Sequence, residues 1–301
     1  DGAMSFASET KAELCRIPLS RRCCAQAEAY GVLLYCNHYS RREIRIITES
    51  EDFARRLPLL FRKAFKLDFD RQPEPGGGGK QTFAITEPDK LAVLSETFGY
   101  DPAESVAHHI NFAVLEEDHC RTAFFRGAFL AGGSVTDPGK RYHLELVTSH
   151  YSVSREMISL LLDAGFAPKE TTRKANYVTY FKQSEAIEEF LTSLGAPLAA
   201  MEMMNAKAEK DLRGSINRRV NCDAANLDKA VEAAQEQLEA IRILEERGML
   251  LELPDKLKEA VDLRAAHPEL TLAQLAELCD PPVTKSAFNH RLRKLVELSK
   301  R

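Results

Sequence analysis

No stretch of the sequence reaches the roughly 18 consecutive apolar residues of a membrane-spanning helix, and none is patterned like a signal peptide. A cytoplasmic protein is therefore expected. A charge excess is also lacking: 41 Lys and Arg against 45 Asp and Glu leave a net of −4, so any nucleic-acid role must come from local charge. Cysteine is sparse and scattered. The seven are an odd number, only Cys23 and Cys24 are adjacent, and no two have the spacing of zinc ligands. That fits a reducing compartment better than a disulfide framework; no metal or other cofactor is expected. The 301 residues are enough for two domains without staples. Asp1–Ala3, ahead of Met4, read as a leftover of cloning.

What is present is one order of elements, written twice. Arg121–Val135 (RTAFFRGAFLAGGSV) reads as a helix running into a glycine pair and a strand. Gly127, Ala128 and Ala131 leave little volume on it, so it can approach another helix closely. Ala27–Asn37 has the same texture, with Gly31 lying 96 residues before Gly127. The surroundings repeat too. After the Cys24–Tyr35 helix, with Ser20 as its expected cap, come an alternating strand at Glu43–Thr48 and a helix at Ser50–Ala64. A strand at Lys66–Arg71, the Pro73–Gly79 turn, a strand at Gln81–Thr86 and a helix from Asp89 to Phe98 follow. The second copy has a helix at Cys120–Ala131 and strands at Ser134–Thr136 and Tyr142–Thr148 around an Asp137-Pro138-Gly139 turn. It continues with a helix at Val153–Ala164, a hairpin of Lys169–Arg173 and Tyr177–Phe181, and a helix at Ser184–Leu194. The expected fold class is α+β, a duplicated αββαββα domain with an all-α C-terminal domain. The boundaries read as an N-terminal helix within 1–19, a duplicated domain at 20–196 with halves 20–99 and 117–196, a linker at 197–224, and a helical domain at 225–301.

The C-terminal segment carries the clearest chemical pattern. Ala225–Arg247 is a long helical run with an apolar line through Leu227, Val231, Ala234, Leu238, Ile241 and Leu244. Pro254 opens a helix reaching Ala266, and Thr271-x-x-Gln274 is a capping box before Leu272, Leu275, Ala276 and Cys279. Asp280-Pro281-Pro282 breaks that helix, and Thr284 can cap a last one with Phe288, Leu292 and Leu295 on its core face. This is the layout of a helix-turn-helix at 254–298. Ser286, Asn289, His290 and Arg293 fall on the opposite face with Lys285 at its start, a hydrogen-bonding and cationic set suited to base edges in the major groove. Thr284, Arg291 and Lys294 are the expected phosphate contacts beside them. Val283–Arg301 holds six Lys or Arg against the single acid Glu297, which supports DNA contact over an ordinary solvated helix. In the duplicated domain, Arg41, Arg42, Arg45, Arg173 and Lys174 are candidate phosphate contacts, although neighbouring acids such as Glu43 and Glu49 also suit a mixed solvent face.

A nuclease would need carboxylates at the seam to hold a divalent metal. The first seam helix ends Leu34-Tyr35-Cys36-Asn37-His38 and the second Leu130-Ala131-Gly132-Gly133-Ser134, without an acid in either. A lone His38 and the turn residue Asp137 do not make a metal cluster, so no enzyme activity is expected.

The seam helices and the αββαββα repeat resemble the LAGLIDADG homing endonucleases. With LTLAQLAELCDPPVTKSAFNHRLRKL at Leu270–Leu295 and NRRVNCDAAN at Asn217–Asn226, nearly the whole chain is similar to the WhiA family of bacterial transcription regulators. The resemblance implies a DNA-binding protein of Gram-positive and related bacteria, associated with the nucleoid and linked to sporulation or cell division. It implies an endonuclease-like domain that has lost cleavage and a helix-turn-helix similar to the promoter-reading domain of sigma factors. The endonuclease motif's acids fall on Cys36 and Gly132 here, and the base-reading role falls on Ser286, Asn289, His290 and Arg293. Asn217, Asn221 and Asn226 match the interdomain motif, where they cap the linker helix or touch DNA. Double-stranded promoter DNA is the implied partner. A scaffold that binds a sigma factor or a second regulator, with DNA contact secondary, is the alternative reading, and an active metal-dependent endonuclease a third.

Overall fold

Ser5 accepts a hydrogen bond from the Ser8 N–H and starts α1 (Phe6–Leu14), which buries Phe6, Ala12 and Leu14. Next comes α2 (Arg22–Tyr35), begun at Arg21 without a side-chain cap rather than at Ser20; ten of its 14 residues are buried. A helix covered on nearly every side belongs at the middle of a domain. The computed structural model describes residues 4–100 and 107–301, so Asp1–Ala3 and the middle of the Tyr100–Glu116 connector lie outside the described residues. These form two compact units, 1–211 and 212–301. Among them no helix is long and apolar enough to cross a membrane.

The first half continues with β1 (His38–Tyr39), β2 (Ile44–Thr48), α3 (Glu51–Phe65), β3 (Gln81–Ile85) and α4 (Pro88–Phe98), its strands ordered β1-β2-β3 and antiparallel. The second holds α5 (Asp118–Gly132), β4 (Gly133–Val135), β5 (Leu144–Thr148), α6 (Tyr151–Asp163), β6 (Lys169–Arg173), β7 (Asn176–Phe181) and α7 (Ser184–Leu194). Its strands are ordered β4-β5-β7-β6. The second half thus has the full αββαββα order. In the first, the strand expected at Lys66–Arg71 is reduced to a single bridge between Arg71 and Ala84. Two features stop a ladder there. Lys66 sits in the left-handed region at φ 57°, which turns the chain away, and the Asp70 carboxylate takes the N–H groups of Thr86 (2.7 Å) and Glu87 (2.9 Å) together with the Lys90 ammonium. Burial pushes the Asp70 carboxyl up, but the Lys90 ammonium and the two N–H groups together outweigh it and hold the carboxyl well below the usual carboxylate range, at about 2.

α2 and α5 meet backbone to backbone. A Cβ added to Gly31 would lie 2.2 Å from the Phe124 carbonyl oxygen, one on Gly127 1.9 Å from that of Glu28, and one on Gly132 2.7 Å from that of Tyr35. Each neighbour is main chain, so no side-chain rotation relieves the clash. The pairs climb both helices together, Glu28 with Gly127 and Tyr35 with Gly132, which makes the helices parallel and sets their N-termini at one end of the seam. At the crossing the Glu28 side chain, 1% exposed, accepts from Arg56 Nε (2.8 Å) and Nη2 (2.9 Å) and from Arg126 Nη1 (3.3 Å). Arg56 also donates to the Cys15 and Ile17 carbonyls, and Arg126 to that of Leu194. One carboxylate therefore joins α2, α3, α5, the end of α7 and the segment after α1.

After α7 the helix α8 (Pro197–Glu246) begins at Pro197 instead of Ala225, so the 197–224 segment is helical. Its Ala, Met, Glu, Lys and Leu content favours helix strongly enough to carry Gly214. In the first unit Ala199, Ala200 and Met203 are buried, and the N–H groups of Leu198 and Ala199 donate to Glu13. In the second unit the expected apolar line is buried only near its end. Ile241 and Leu244 join the core, whereas Leu227 and Val231 are exposed. That core is completed by Leu253, α9 (Asp255–Ala266), α10 (Leu272–Leu278) and α11 (Lys285–Ser299).

The seam makes two predictions for chemical denaturation. Gly127→Ala should lower stability by more than about 3 kcal/mol, the upper end for overpacking, because only backbone faces the new methyl. Gly78→Ala, with nothing within 4 Å, is the control that should leave the midpoint in place. Glu28→Gln should lose about 3–5 kcal/mol, because Arg56 and Arg126 stay buried without their counter-charge.

Candidate nucleic-acid interface

α10 opens on Thr271, whose hydroxyl accepts from the Gln274 N–H while the Gln274 side chain accepts from the Thr271 N–H, the reciprocal box expected there. The Val283 N–H returns to the Ala276 carbonyl (3.1 Å) and closes the turn, and Thr284 caps α11 by accepting from the Ala287 N–H (3.2 Å). The turn into α10 is held by Arg264, 2% exposed, whose Nη2 donates to the carbonyls of His267, Pro268 and Leu270. These contacts fix α11 relative to α9 and α10, with Phe288, Leu292 and Leu295 buried beneath it.

Helical geometry then sets the outer face. Residues 286, 290 and 293 project almost directly away from the buried line of 288, 292 and 295. Ser286, His290 and Arg293 are exposed, as are Lys285 and Lys294, while Asn289 is half-buried on the flank. Glu297 shares the outward line one turn beyond Arg293, so the cationic character lies in the first three turns. Two of the expected phosphate contacts are otherwise engaged. Arg291 is half-buried and pairs with Glu259 (3.3 Å), whose second oxygen accepts from the Asp280 N–H. It therefore braces the turn. The Thr284 hydroxyl is occupied as the helix cap, although its side chain remains at the surface.

In the duplicated domain the candidates divide. Arg41 and Arg42 are exposed in the β1–β2 turn, and Lys174 is exposed in the β6–β7 turn. Arg173 lies bidentate on Glu145 (2.8 and 3.4 Å), which removes much of its charge from that sheet. On the other sheet His38 pairs with Arg45, Arg45 with Ala84, and Ala84 with Arg71, which places His38, Arg45 and Arg71 in one row on one face. Arg71 was not among the expected contacts. Its place in the row depends on pairing across a loop that contains four consecutive glycines, which periodicity does not reveal. The interdomain asparagines Asn217, Asn221 and Asn226 lie exposed in the interior of α8, so they cap neither end of that helix.

At the C-terminal end of the seam a cleft of about 250 Å³ is lined by Tyr35, Cys36, Asn37, Ala131, Gly132, Val147, Thr148, Ser149 and Asn176, with no carboxylate among them. Gly132 has no room for any side chain. The Cys36 thiol donates to the Leu33 carbonyl (3.1 Å), and burial pushes it up to about 12, so it stays neutral. Nearby His150 is pushed down to about 4 by burial and by His108 and His38, and is uncharged at neutral pH. Asp137 is a turn residue, its carboxylate accepting from the Gly139 N–H.

One cluster is invisible to sequence spacing. Cys23, Cys24, His119 and Cys120 converge at the N-terminal end of the seam, with donor atoms all within 4.8 Å of one another. The available signal was the duplication: Cys23 and Cys24 stand 96 residues before His119 and Cys120, the same offset as Gly31 and Gly127.

Residues 121–213 match the family described as the WhiA LAGLIDADG-like domain, and residues 216–299 match the WhiA C-terminal HTH domain. A probable cell division protein WhiA from Ruminiclostridium cellulolyticum is 37% identical over 99% of this chain and 98% of its own length. Another from Alkaliphilus metalliredigens is 33% identical over 99% and 98%. The crystal structure of full-length DUF199/WhiA from Thermatoga maritima matches with a TM-score of 0.61 at 22% identity, over 99% of both chains, and so shares the fold. A LAGLIDADG-like domain followed by a C-terminal helix-turn-helix, together with relatives similar from end to end, establishes that this chain belongs to the WhiA family.

Proposed function

We propose that this protein is a sequence-specific transcription regulator that reads promoter DNA through α11 and does not cleave it. The observation that carries the reading is the outward face of α11, where Ser286, His290 and Arg293 stand opposite a sealed core with Asn289 and Lys285 beside them. Guanidinium and amide groups can make paired hydrogen bonds to guanine and adenine edges, and the first turns of a recognition helix are the part that reaches them. Lys294, Arg41, Arg42, Lys174 and the row of His38, Arg45 and Arg71 supply phosphate contacts, which fix position without reading sequence. The link to cell division or sporulation follows the names carried by its relatives and the family resemblance, and the same reading places the protein on the nucleoid. The carboxylate-free seam end supports a duplicated domain that grips DNA without hydrolysing it.

A second reading has its own support. Glu145 neutralises Arg173 on the second sheet, which leaves that surface suited to a protein such as a sigma factor or a second regulator.

Footprinting with the full chain at moderate salt is expected to give a protected promoter site and no Mg²⁺-dependent cleavage. Absence of any preferred site would remove the base-reading role. Arg293→Ala should lose about 1–3 kcal/mol of discrimination between the preferred and altered sites. An equal loss on every sequence would make it a phosphate contact instead. Arg45→Ala with Arg71→Ala should weaken binding evenly across sequences and reduce the magnitude of the log–log salt slope by about one for each phosphate that is no longer neutralised. An unchanged slope would remove this row from the DNA contacts.

A further inference from the structure

Three thiols and an imidazole meet where the seam helices begin. Cys24 Sγ lies 3.2 Å from His119 Nδ1, Cys120 Sγ lies 3.3 Å from the same nitrogen, and Cys23 Sγ closes the group, with all four atoms within 4.8 Å of one another. A tetrahedral zinc ion with Zn–S of about 2.3 Å and Zn–N of about 2.0–2.1 Å holds its ligand atoms roughly 3.5–3.8 Å apart. The four atoms are thus already near the edges of such a tetrahedron, and small side-chain rotations would complete it. The ligand type is equally selective, since three thiolates and one imidazole suit zinc-type cations and are poor ligands for magnesium or calcium.

We propose that Cys23, Cys24, His119 and Cys120 form a binding site for one zinc-type divalent cation, which clips the two halves of the duplicated domain together at the N-terminal end of the seam. Binding replaces the three S–H protons with metal–sulfur bonds and uses the Nδ1 lone pair of neutral His119, releasing three protons to solvent. The fold favours this in three ways. Cys23 and Cys24 are the second and third residues of α2, and His119 and Cys120 hold the same positions in α5, so both positive helix ends face the developing thiolates. Neither helix has a side-chain cap, Arg21 and Glu117 making no such bond, which leaves N–H groups in the first turns available to sulfur. Cys23 and His119 are exposed, which opens a path for the ion, while Cys120 is buried and anchors the group.

The site stands independently of the DNA-binding reading, and its test uses the full chain kept reduced and stripped by chelator. Titration with Co²⁺ is expected to saturate at one equivalent, with the visible d–d bands of a tetrahedral ion and near-ultraviolet thiolate charge-transfer bands. One equivalent of Zn²⁺ should erase both and raise the melting temperature. Cys23→Ser changes an exposed side chain and should leave the fold intact, as judged by circular dichroism. It should weaken Co²⁺ binding more than about tenfold, since removing a ligand exceeds the effect of removing its outer support. His119→Gln should do the same, whereas Cys222→Ser, an exposed cysteine on α8, should change nothing. Either of two results would overturn the proposal: no tetrahedral spectrum from folded, reduced protein, or binding unaltered in both ligand variants.

Discussion

The Glu28–Gly127 crossing is the constraint on which the first unit rests. The Glu28 main chain needs a glycine opposite, and its side chain needs two guanidinium groups within reach. Close approach brings the carboxylate within range of Arg126, and the enclosure that follows makes a second cation necessary. Arg56 supplies it and carries its remaining donors to the Cys15 and Ile17 carbonyls, which fixes the segment after α1. Burial this deep is expensive for an isolated carboxylate and tolerable for one whose hydrogen bonds all come from charged donors. The core around it is largely hydrocarbon, with Tyr30 stacked on Phe98 and Phe124 beside it.

The second unit solves a different problem with a related device. A helix-turn-helix needs a tight turn on either side of a very short helix, and α10 has only seven residues. Such a helix is marginal by itself. Its start is secured by the Thr271–Gln274 box, its approach by the three carbonyls gathered on Arg264, and its exit by the Glu259–Arg291 pair and the Val283–Ala276 bond. The outcome is a short helix tied at both ends, which sets the position of α11 behind it.

Legibility in the sequence followed the range of the interaction. Thr271, Gln274, Thr284 and the 288–292–295 line act within one or two helical turns, and each stands where periodicity and capping rules put it. The duplication was legible for a similar reason, since Gly31 and Gly127 announce the seam through their own lack of volume. Longer reach was harder to see. Arg291 has the composition of a phosphate contact, and only the packing of α9 shows that Glu259 claims it. Arg173 yields to Glu145 across the sheet, 28 residues away in sequence. The Lys66–Arg71 strand reads correctly by pattern and fails because the Asp70 carboxylate is taken up by the N–H groups at the start of α4. Leu227 and Val231 keep the helical period without reaching a core, since periodicity records a stripe and says nothing of what covers it.

The two halves sit in one polypeptide, joined at a seam of parallel helices. A pair built from identical subunits is bound to a two-fold axis, and every substitution appears on both sides at once. Fusion lifts that bond. Here one sheet has three strands and a single bridge where the other has four, one carries a row of His38, Arg45 and Arg71 while the other masks Arg173, and the seam ends in a thiol on one side and a bare glycine on the other. With the halves so unlike, each surface can change without the other having to follow.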